Sequence, residues 1–276
     1  MKRVVVIGGG ISGLACARAI AEEASAKDQH IEVLVLESSS RFGGNISTSH
    51  EGDFVLDGGP DSWVTNKPEA TALAKALGLE GQFISTKTEN RKVYIVHDGQ
   101  LHPMPEGLVL GIPTRMMPIA KTPLFSALAK VRMAMEPFVA TGDFSGDKDE
   151  SIGSFIERRL GREVADRLVS PLLGGIFAGD AGTISVRAAF PQLVEAEKKY
   201  GSLVKAVRAQ RRASASPTAF ISLKGGMSSL IEALVADVTR RGVVAKKGVP
   251  VKRVARVANG YVVELESGAT EMAEAV

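Results

Sequence analysis

Gly8, Gly10 and Gly13 form a G-x-G-x-x-G, and the residues on either side decide what such a turn can do. Before it stands a β-branched run, Val4-Val5-Val6-Ile7, which predicts a strand buried on both faces. After it, Ile11 to Glu23 carries apolar residues at helical spacing. Strand, glycine turn and helix in that order suit the pyrophosphate of a dinucleotide. Gly8 makes the tight turn, Gly10 lets the phosphates approach the backbone, and Gly13 allows close helix–strand packing. Gly9, Ile11 and Ser12 lie in the same turn and helix start, where unpaired N–H groups and a partial positive charge face the phosphates. A second buried run, Ile31 to Leu36, ends in Glu37, with Ser38 beside it. An acid at that point accepts the ribose hydroxyls of an adenosine and disfavours a 2′-phosphate. The bland alternative is a structural βαβ turn that binds nothing. Lys2-Arg3 before an apolar run also imitates a signal peptide, but three glycines, Arg18 and the lack of a small-residue cleavage site argue against one.

The residues after Glu37 separate a flavin from a nicotinamide. Arg41-Phe42-Gly43-Gly44-Asn45 places an arginine and a glycine pair just past the second strand. Phe54 to Asp57 then gives another strand, which enters a further glycine turn, Gly58-Gly59-Pro60-Asp61-Ser62-Trp63. A nicotinamide cofactor needs one mononucleotide crevice, whereas FAD is longer and needs backbone close to its whole length. On these motifs the first 65 residues resemble the FAD-binding amine oxidase and protoporphyrinogen oxidase superfamily.

The bulk properties narrow the function classes. The chain has 276 residues, 45% hydrophobic and 24% charged, enough for one large or two modest globular domains. A net charge of +3 is too small to imply nucleic acid. Cys16 is the only cysteine, so no internal disulfide forms and a reducing cytosol fits. His30, His50, His97 and His102 show no metal-ligand spacing, and no apolar run approaches a membrane span.

Local signals also mark the elements that must position these motifs. Pro68 to Leu77 predicts a helix that stops at Gly78, and Val93 to Met104 a hairpin turning at Asp98-Gly99. Arg91-Lys92 precedes that hairpin as strand-edge charge. Gly107 to Met135 holds Arg115, Lys121, Lys130 and Arg132 but no acid, and Pro113, Pro118 and Pro123 keep the helices of its first half short. Such a segment suits a pocket for a flat apolar anion or a membrane surface, or else a helical core with solvated lysines. Helices follow at Ser151–Leu160 and Arg162–Ser170, and Pro171 to Asp180 reads as a glycine-rich stretch for close packing. Val186 to Arg212 is helical with a break near Tyr200-Gly201, and Ala213 to Pro217 is a loop where the first domain returns. The return comprises a strand at Ala219–Leu223 and a helix at Ser228–Arg240 capped by Ser228 or Ser229. Strands come next at Val243–Lys246, Val249–Val257 and Tyr261–Glu266. Another buried strand is expected to begin at Glu274-Ala275-Val276.

With Leu101 to Pro105, Gly111 to Thr114 and Pro171 to Asp180 added, the whole chain resembles protoporphyrinogen oxidases, most closely the bacterial branch that oxidises coproporphyrinogen III. The resemblance implies an α/β fold: a Rossmann-like FAD-binding domain with an inserted, mainly helical substrate and membrane-contact domain. The expected divisions are 1–85, 86–216 (mainly helical over 107–212) and 217–276. It implies FAD held by Gly8, Gly9, Gly10, Ile11, Ser12, Gly13, Glu37, Ser38, Arg41, Gly43, Gly44, Asn45, Gly59, Pro60, Asp61 and Ser62, with Val251 at the adenine. It also implies Lys67 and Arg91 on the substrate propionates, no side-chain nucleophile and no metal. The implied reaction is oxygen-dependent oxidation of coproporphyrinogen III, or of protoporphyrinogen IX, with release of hydrogen peroxide in heme biosynthesis. Implied partners are the porphyrinogen, molecular oxygen, other heme-pathway enzymes and the inner face of the cell membrane, in a cytoplasmic setting. Another flavoenzyme of the superfamily, an amine oxidase or carotenoid desaturase, shares the glycine motifs. So does a non-catalytic binder on the same scaffold, such as the GDP-dissociation inhibitors. Family members run well over a hundred residues further, so the chain is expected to be the N-terminal part of such an enzyme, with weak flavin binding and no turnover alone.

Overall fold

Val4, Val5 and Val6 sit in the middle of β1 (Lys2–Ile7), the first element of a computed structural model that describes residues 2–65, 67–87, 93–109, 112–113, 116–210 and 220–276. Val5 is fully buried, but Ile7 at the strand's end is 44% exposed. Burial on both faces therefore holds only for the strand's centre, because the chain turns away at Gly8 with φ +103°. α1 (Ile11–Ala26) buries Leu14, Ala17 and Ala24, and β2 (Ile31–Glu37) pairs parallel with β1. Next comes an antiparallel hairpin of β3 (Thr48–Glu51) and β4 (Phe54–Asp57). Then come β5 (Trp63–Val64), α2 (Pro68–Ala76) and β6 (Phe83–Ser85). Pro68 at the first position and Gly78 at φ +78° bound α2, as the asymmetry of helix ends requires.

The chain divides into two compact units, Met1–Lys87 with Pro217–Val276, and Thr88–Ser216. In the second unit a hairpin of β7 (Tyr94–His97) and β8 (Gln100–Pro103) turns through Asp98 and Gly99, both at positive φ. A shorter antiparallel pair, β9 (Leu108–Val109) and β10 (Ile112–Pro113), precedes α3 (Met116–Lys121) and α4 (Ala127–Ala134). α5 (Ile152–Leu160) is capped by Ser151, whose hydroxyl accepts from the Ser154 N–H. A helical run then joins α6 (Arg162–Val164), a π stretch at Ala165–Val169 and α7 (Ser170–Phe177). The stretch expected only as glycine-rich close packing from Pro171 is thus largely helix. Among the described residues, a β-carbon at Gly174 or Gly175 would meet nothing within 4 Å, so these glycines serve no close packing. α8 (Val186–Ala189), α9 (Pro191–Tyr200) and α10 (Leu203–Gln210) complete the unit, with Gly201 at φ +65° ending α9.

This second unit is organised around charge as well as apolar packing. Arg159 and Glu136 are both fully buried, and the Arg159 Nε donates to Glu136 Oε1 at 2.9 Å. Arg159 Nη1 donates to Glu197 Oε1 at 3.1 Å, and Arg158 forks onto the same carboxylate at 2.7 and 3.0 Å. Glu136 also accepts from the Ser202 hydroxyl and the Leu203 N–H, which caps α10. Every charge in this network has hydrogen-bonding partners, the condition under which buried charge is tolerated.

The first unit resumes with β11 (Phe220–Leu223), antiparallel to both β5 and β6, and α11 (Ser228–Arg240). Neither Ser228 nor Ser229 caps α11. The Met227 N–H donates to Asp57 Oδ1 and the Ser228 N–H to Thr48 Oγ1, each at 2.9 Å, so the β3–β4 hairpin supplies the cap. β12 (Val244–Lys247) pairs parallel with β2, giving the order β1-β2-β12. β13 (Val251–Val257), β14 (Gly260–Leu265) and β15 (Thr270–Ala273) form an antiparallel sheet. On the other side of β1, Val4 and Ala275 form a parallel bridge, with the Val5 N–H donating to the Ala275 carbonyl at 3.0 Å. The apolar faces of α1, β2 and α11 make one core through Leu14, Val33, Val35, Leu230 and Leu234.

Candidate functional site

The three fingerprint glycines differ in what requires them. Gly8 has φ +103°, a conformation side-chain-bearing residues rarely adopt. A β-carbon at Gly13 would overlap the Gly8 carbonyl oxygen, so helix and strand can pack this closely only without one. Gly10 is different. Its φ of −72° and ψ of 176° suit any residue, and an added β-carbon would meet only the Gly44 Cα, at 4.0 Å. Among the described residues, nothing comes closer than that to a β-carbon at Gly10. No side chain caps α1 there, and its first turn holds no acid, so the positive helix end is left for an anion.

Glu37 closes the turn from behind. Its Oε2 accepts the Gly9 N–H at 2.6 Å. Its Oε1 accepts three donors: the Ser39 N–H and hydroxyl, both at 2.7 Å, and the Ser38 hydroxyl at 3.2 Å. The Ser39 N–H, aided by the Ser39 hydroxyl and the Gly9 N–H, holds this carboxyl well below the usual carboxylate range, at about 2. Glu37 is therefore an anion that has used three acceptor sites on one oxygen and one on the other.

The second and third glycine turns lie against the first. The Gly43 N–H donates to the Gly9 carbonyl at 2.8 Å, and a β-carbon at Gly44 would come within 3.5 Å of the Gly10 Cα. The Arg41 guanidinium donates to the carbonyls of Gly44 (2.7 Å) and Ile46 (2.8 Å), which folds the loop around itself. A β-carbon at Gly59 would overlap the Asn45 carbonyl oxygen. Gly8–Gly10, Gly43–Asn45 and Gly58–Pro60 thus form one continuous ledge of backbone, in which Gly44, Asn45, Gly59 and Pro60 are exposed. Asp61 and Ser62 follow, with the Ser222 hydroxyl donating to the Asp61 carbonyl at 2.5 Å. They line a cleft of 360 Å³ with Ile84, Ser85, Thr86 and Phe220.

The remaining predicted residues are spread more widely. Val251 packs beside Val5, Leu34 and Leu36, and two residues earlier the Val249 N–H donates to the Glu37 carbonyl at 2.8 Å. Lys67 is exposed at the start of α2. Arg91 lies outside the described residues, as do Lys92, Gly111, Thr114, Arg115 and the loop at 213–217. Sequence reasoning missed Ser39, whose three-donor neighbourhood was legible only as a polar run after Glu37. It also missed Phe42, whose ring would lie 2.5 Å from a β-carbon at Gly9 and so packs under the first turn. No sequence signal pointed to Thr48 and Asp57, which meet only through strand pairing.

A model of flavin-containing amine oxidoreductases matches residues 11–276. The chain belongs to that family. Within this flavin-containing family, it is 36% identical over 280 residues to a coproporphyrinogen III oxidase of Bacillus subtilis (strain 168), covering 100% of this chain and 59% of the relative. It is 30% identical to protoporphyrinogen oxidase 2, chloroplastic/mitochondrial, of Arabidopsis thaliana, over 84% of this chain and 47% of the relative. A crystal structure from Exiguobacterium sp. 255-15 superposes with a TM-score of 0.84 at 33% identity, covering 99% of this chain and 58% of that one. Putrescine oxidase bound to putrescine, at 17% identity over 99% of this chain and 56% of its own, shares the fold with a TM-score of 0.63. The chain thus spans somewhat over half the length of the B. subtilis oxidase it matches.

Proposed function

We propose that this chain holds FAD along its three glycine turns, as part of an oxygen-dependent oxidase that converts coproporphyrinogen III to coproporphyrin III in heme biosynthesis. The observation that carries this reading is that similarity to coproporphyrinogen III oxidase runs through both units, well beyond the glycine turns any superfamily member shares. Gly10 supports the cofactor: it is the fingerprint glycine that the fold itself does not need.

Bound FAD would supply the two-electron acceptor at which a porphyrinogen loses hydrogen, and it carries the chemistry that side chains lack. The chain's own residues bind and orient. The start of α1 faces the pyrophosphate, and the space before Gly10 admits it. Glu37 Oε2, which among the described residues takes the Gly9 N–H alone, accepts a ribose hydroxyl, and Val251 flanks the adenine. Gly43–Asn45 and Gly59–Ser62 carry the flavin side. The family resemblance assigns Lys67 and Arg91 to the substrate's propionates, which need cationic partners. The overall change removes six hydrogens from the macrocycle and reduces three molecules of oxygen to hydrogen peroxide.

Peripheral contact of the second unit with the inner face of the membrane belongs to the same reading. Its support is a stripe at helical spacing along and beyond α4: Leu128, Val131, Met135 and Phe138 are 79, 57, 54 and 86% exposed. Lys121 and Lys130 lie in the same stretch, where they suit anionic headgroups. Among the described residues no helix is long and apolar enough to cross a membrane.

The test is to purify the protein, record the visible flavin spectrum, and follow oxygen-dependent porphyrin fluorescence with coproporphyrinogen III and with protoporphyrinogen IX. For the whole oxidase of which this chain is proposed to be part, a flavin band with faster turnover of coproporphyrinogen is expected. A flavin-loaded protein that oxidises neither would defeat the substrate assignment.

A further inference from the structure

The three glycine turns must stay in register to follow one extended ligand, and the structure contains a device that fixes two of them to the third. Thr48 and Asp57 face each other across the β3–β4 hairpin. The Thr48 hydroxyl donates to Asp57 Oδ1 at 2.5 Å and accepts the Ser228 N–H at 2.9 Å, while the same Asp57 oxygen accepts the Met227 N–H at 2.9 Å. The hairpin is thereby bolted to the start of α11. Gly226, at φ +83°, must lack a β-carbon, since one would overlap the Thr48 methyl. On one side of this bolt, Thr48 continues back through Ser47 to Asn45. On the other, Asp57 leads directly into Gly58, whose N–H donates to the Ser47 carbonyl at 2.8 Å.

α11 has a second attachment. Asp237, near its far end, accepts Arg18 Nε at 3.0 Å, and Arg18 lies on α1, the helix that begins at the fingerprint turn. The helix therefore grips α1 with Asp237 and the other two glycine turns through Thr48 and Asp57. We infer that Asp57 and Thr48 are positioning residues for the flavin half of the cofactor, acting through α11 to hold the Gly43–Asn45 and Gly58–Pro60 turns in register with the Gly8–Gly13 fingerprint. The inference rests on the proposed FAD site. Neither residue touches the cofactor in this assignment, and neither belongs to a dinucleotide fingerprint.

The division of labour makes the inference testable with two ligands. ADP occupies only the fingerprint half, whereas FAD needs all three turns. Binding of ADP and of FAD would be measured by calorimetry and flavin fluorescence quenching on the full chain and on T48V, T48S and D57A. Loss of one such hydrogen-bonded link should weaken FAD by about tenfold in T48V and D57A, with ADP affinity changed by less than about twofold. T48S keeps the hydroxyl and should bind FAD as the parent does, while retained ADP binding shows that T48V and D57A are folded. Equal losses for ADP and FAD would mark the bolt as general scaffolding and overturn the inference, as would unaltered FAD affinity in T48V. A parent chain that binds ADP but gains nothing from the flavin half would instead overturn the proposed cofactor, and the positioning role with it.

Discussion

The Gly9 N–H donates to Glu37 Oε2 over 2.6 Å, so the residue that ends the second strand also holds the turn that ends the first. One carboxylate thus serves the backbone of the fingerprint and, in the proposed site, the ribose. Its remaining three donors come from Ser38 and Ser39, which fix the side chain before any ligand arrives.

Glu37→Gln is expected to show both roles. The amide NH₂ must oppose at least one N–H or hydroxyl that now donates, so the variant should lose about 1–3 kcal/mol of stability at neutral pH. The native carboxyl has its pKa lowered from 4.5 to about 2, so its stabilising contribution is complete above the ordinary carboxylate range and is lost as pH falls through that window. Urea midpoints measured at several pH values between neutrality and pH 2 should therefore converge for parent and variant on acidification. Parallel curves would show that Glu37 does not carry this acid sensitivity.

The buried network of the second unit makes a separate prediction. Arg159→Leu would leave the Glu136 carboxylate in the protein interior without its cationic partner, while Glu197 keeps Arg158, and should cost about 3–5 kcal/mol. Glu136→Gln keeps an acceptor for Arg159 and for the start of α10, and should cost less, about 1–3 kcal/mol. Denaturant titration decides it. If Arg159→Leu unfolded at the parental midpoint, the network would contribute nothing to stability.

Lys67 stands exposed at the start of α2, and its assigned role is to pair with a propionate. Lys67→Ala should raise the KM for porphyrinogen by about tenfold, the equivalent of one charge-assisted hydrogen bond, with flavin content and kcat little changed. Steady-state kinetics at saturating oxygen would reveal it. An unaltered KM removes Lys67 from the substrate site.

The fingerprint half of the fold was legible because its determinants are local. A β-branched strand, spaced glycines and an amphipathic helix each announce themselves within a few residues, and Asp98-Gly99 or Pro68 with Gly78 mark their elements the same way. What escaped depends on partners far away in the chain. The cap of α11 comes from Thr48 and Asp57, some 170 to 180 residues earlier, so the nearby serines were a natural but wrong choice. α7 was hidden by Gly174-Gly175, which weaken helix propensity, although Pro171 stands in its first turn where proline is tolerated. The buried pairing of Arg159 with Glu136 left no trace at all, since adjacent arginines read as solvated charge.

Gly10 offers the sharpest separation of ligand from fold. Its backbone is extended, with φ −72° and ψ 176°, and the space a β-carbon would take is open to 4.0 Å. Gly10→Ala should therefore shift stability by no more than about 1 kcal/mol, the stabilising loss of unfolded-chain entropy being offset by alanine's poorer capping of α1. Gly13→Ala is the contrast, because its β-carbon would overlap the Gly8 carbonyl oxygen and must push α1 off β1. If the pyrophosphate passes before Gly10, then Gly10→Ala should weaken ADP and FAD alike, and the larger Gly10→Val should abolish flavin retention in a protein that melts near the parent. Gly13→Ala should instead lose stability and ligand together. Thermal melts and flavin absorbance on the purified variants read both quantities. Normal flavin content in a folded Gly10→Val protein would mean that the open space before Gly10 is not where the phosphates lie.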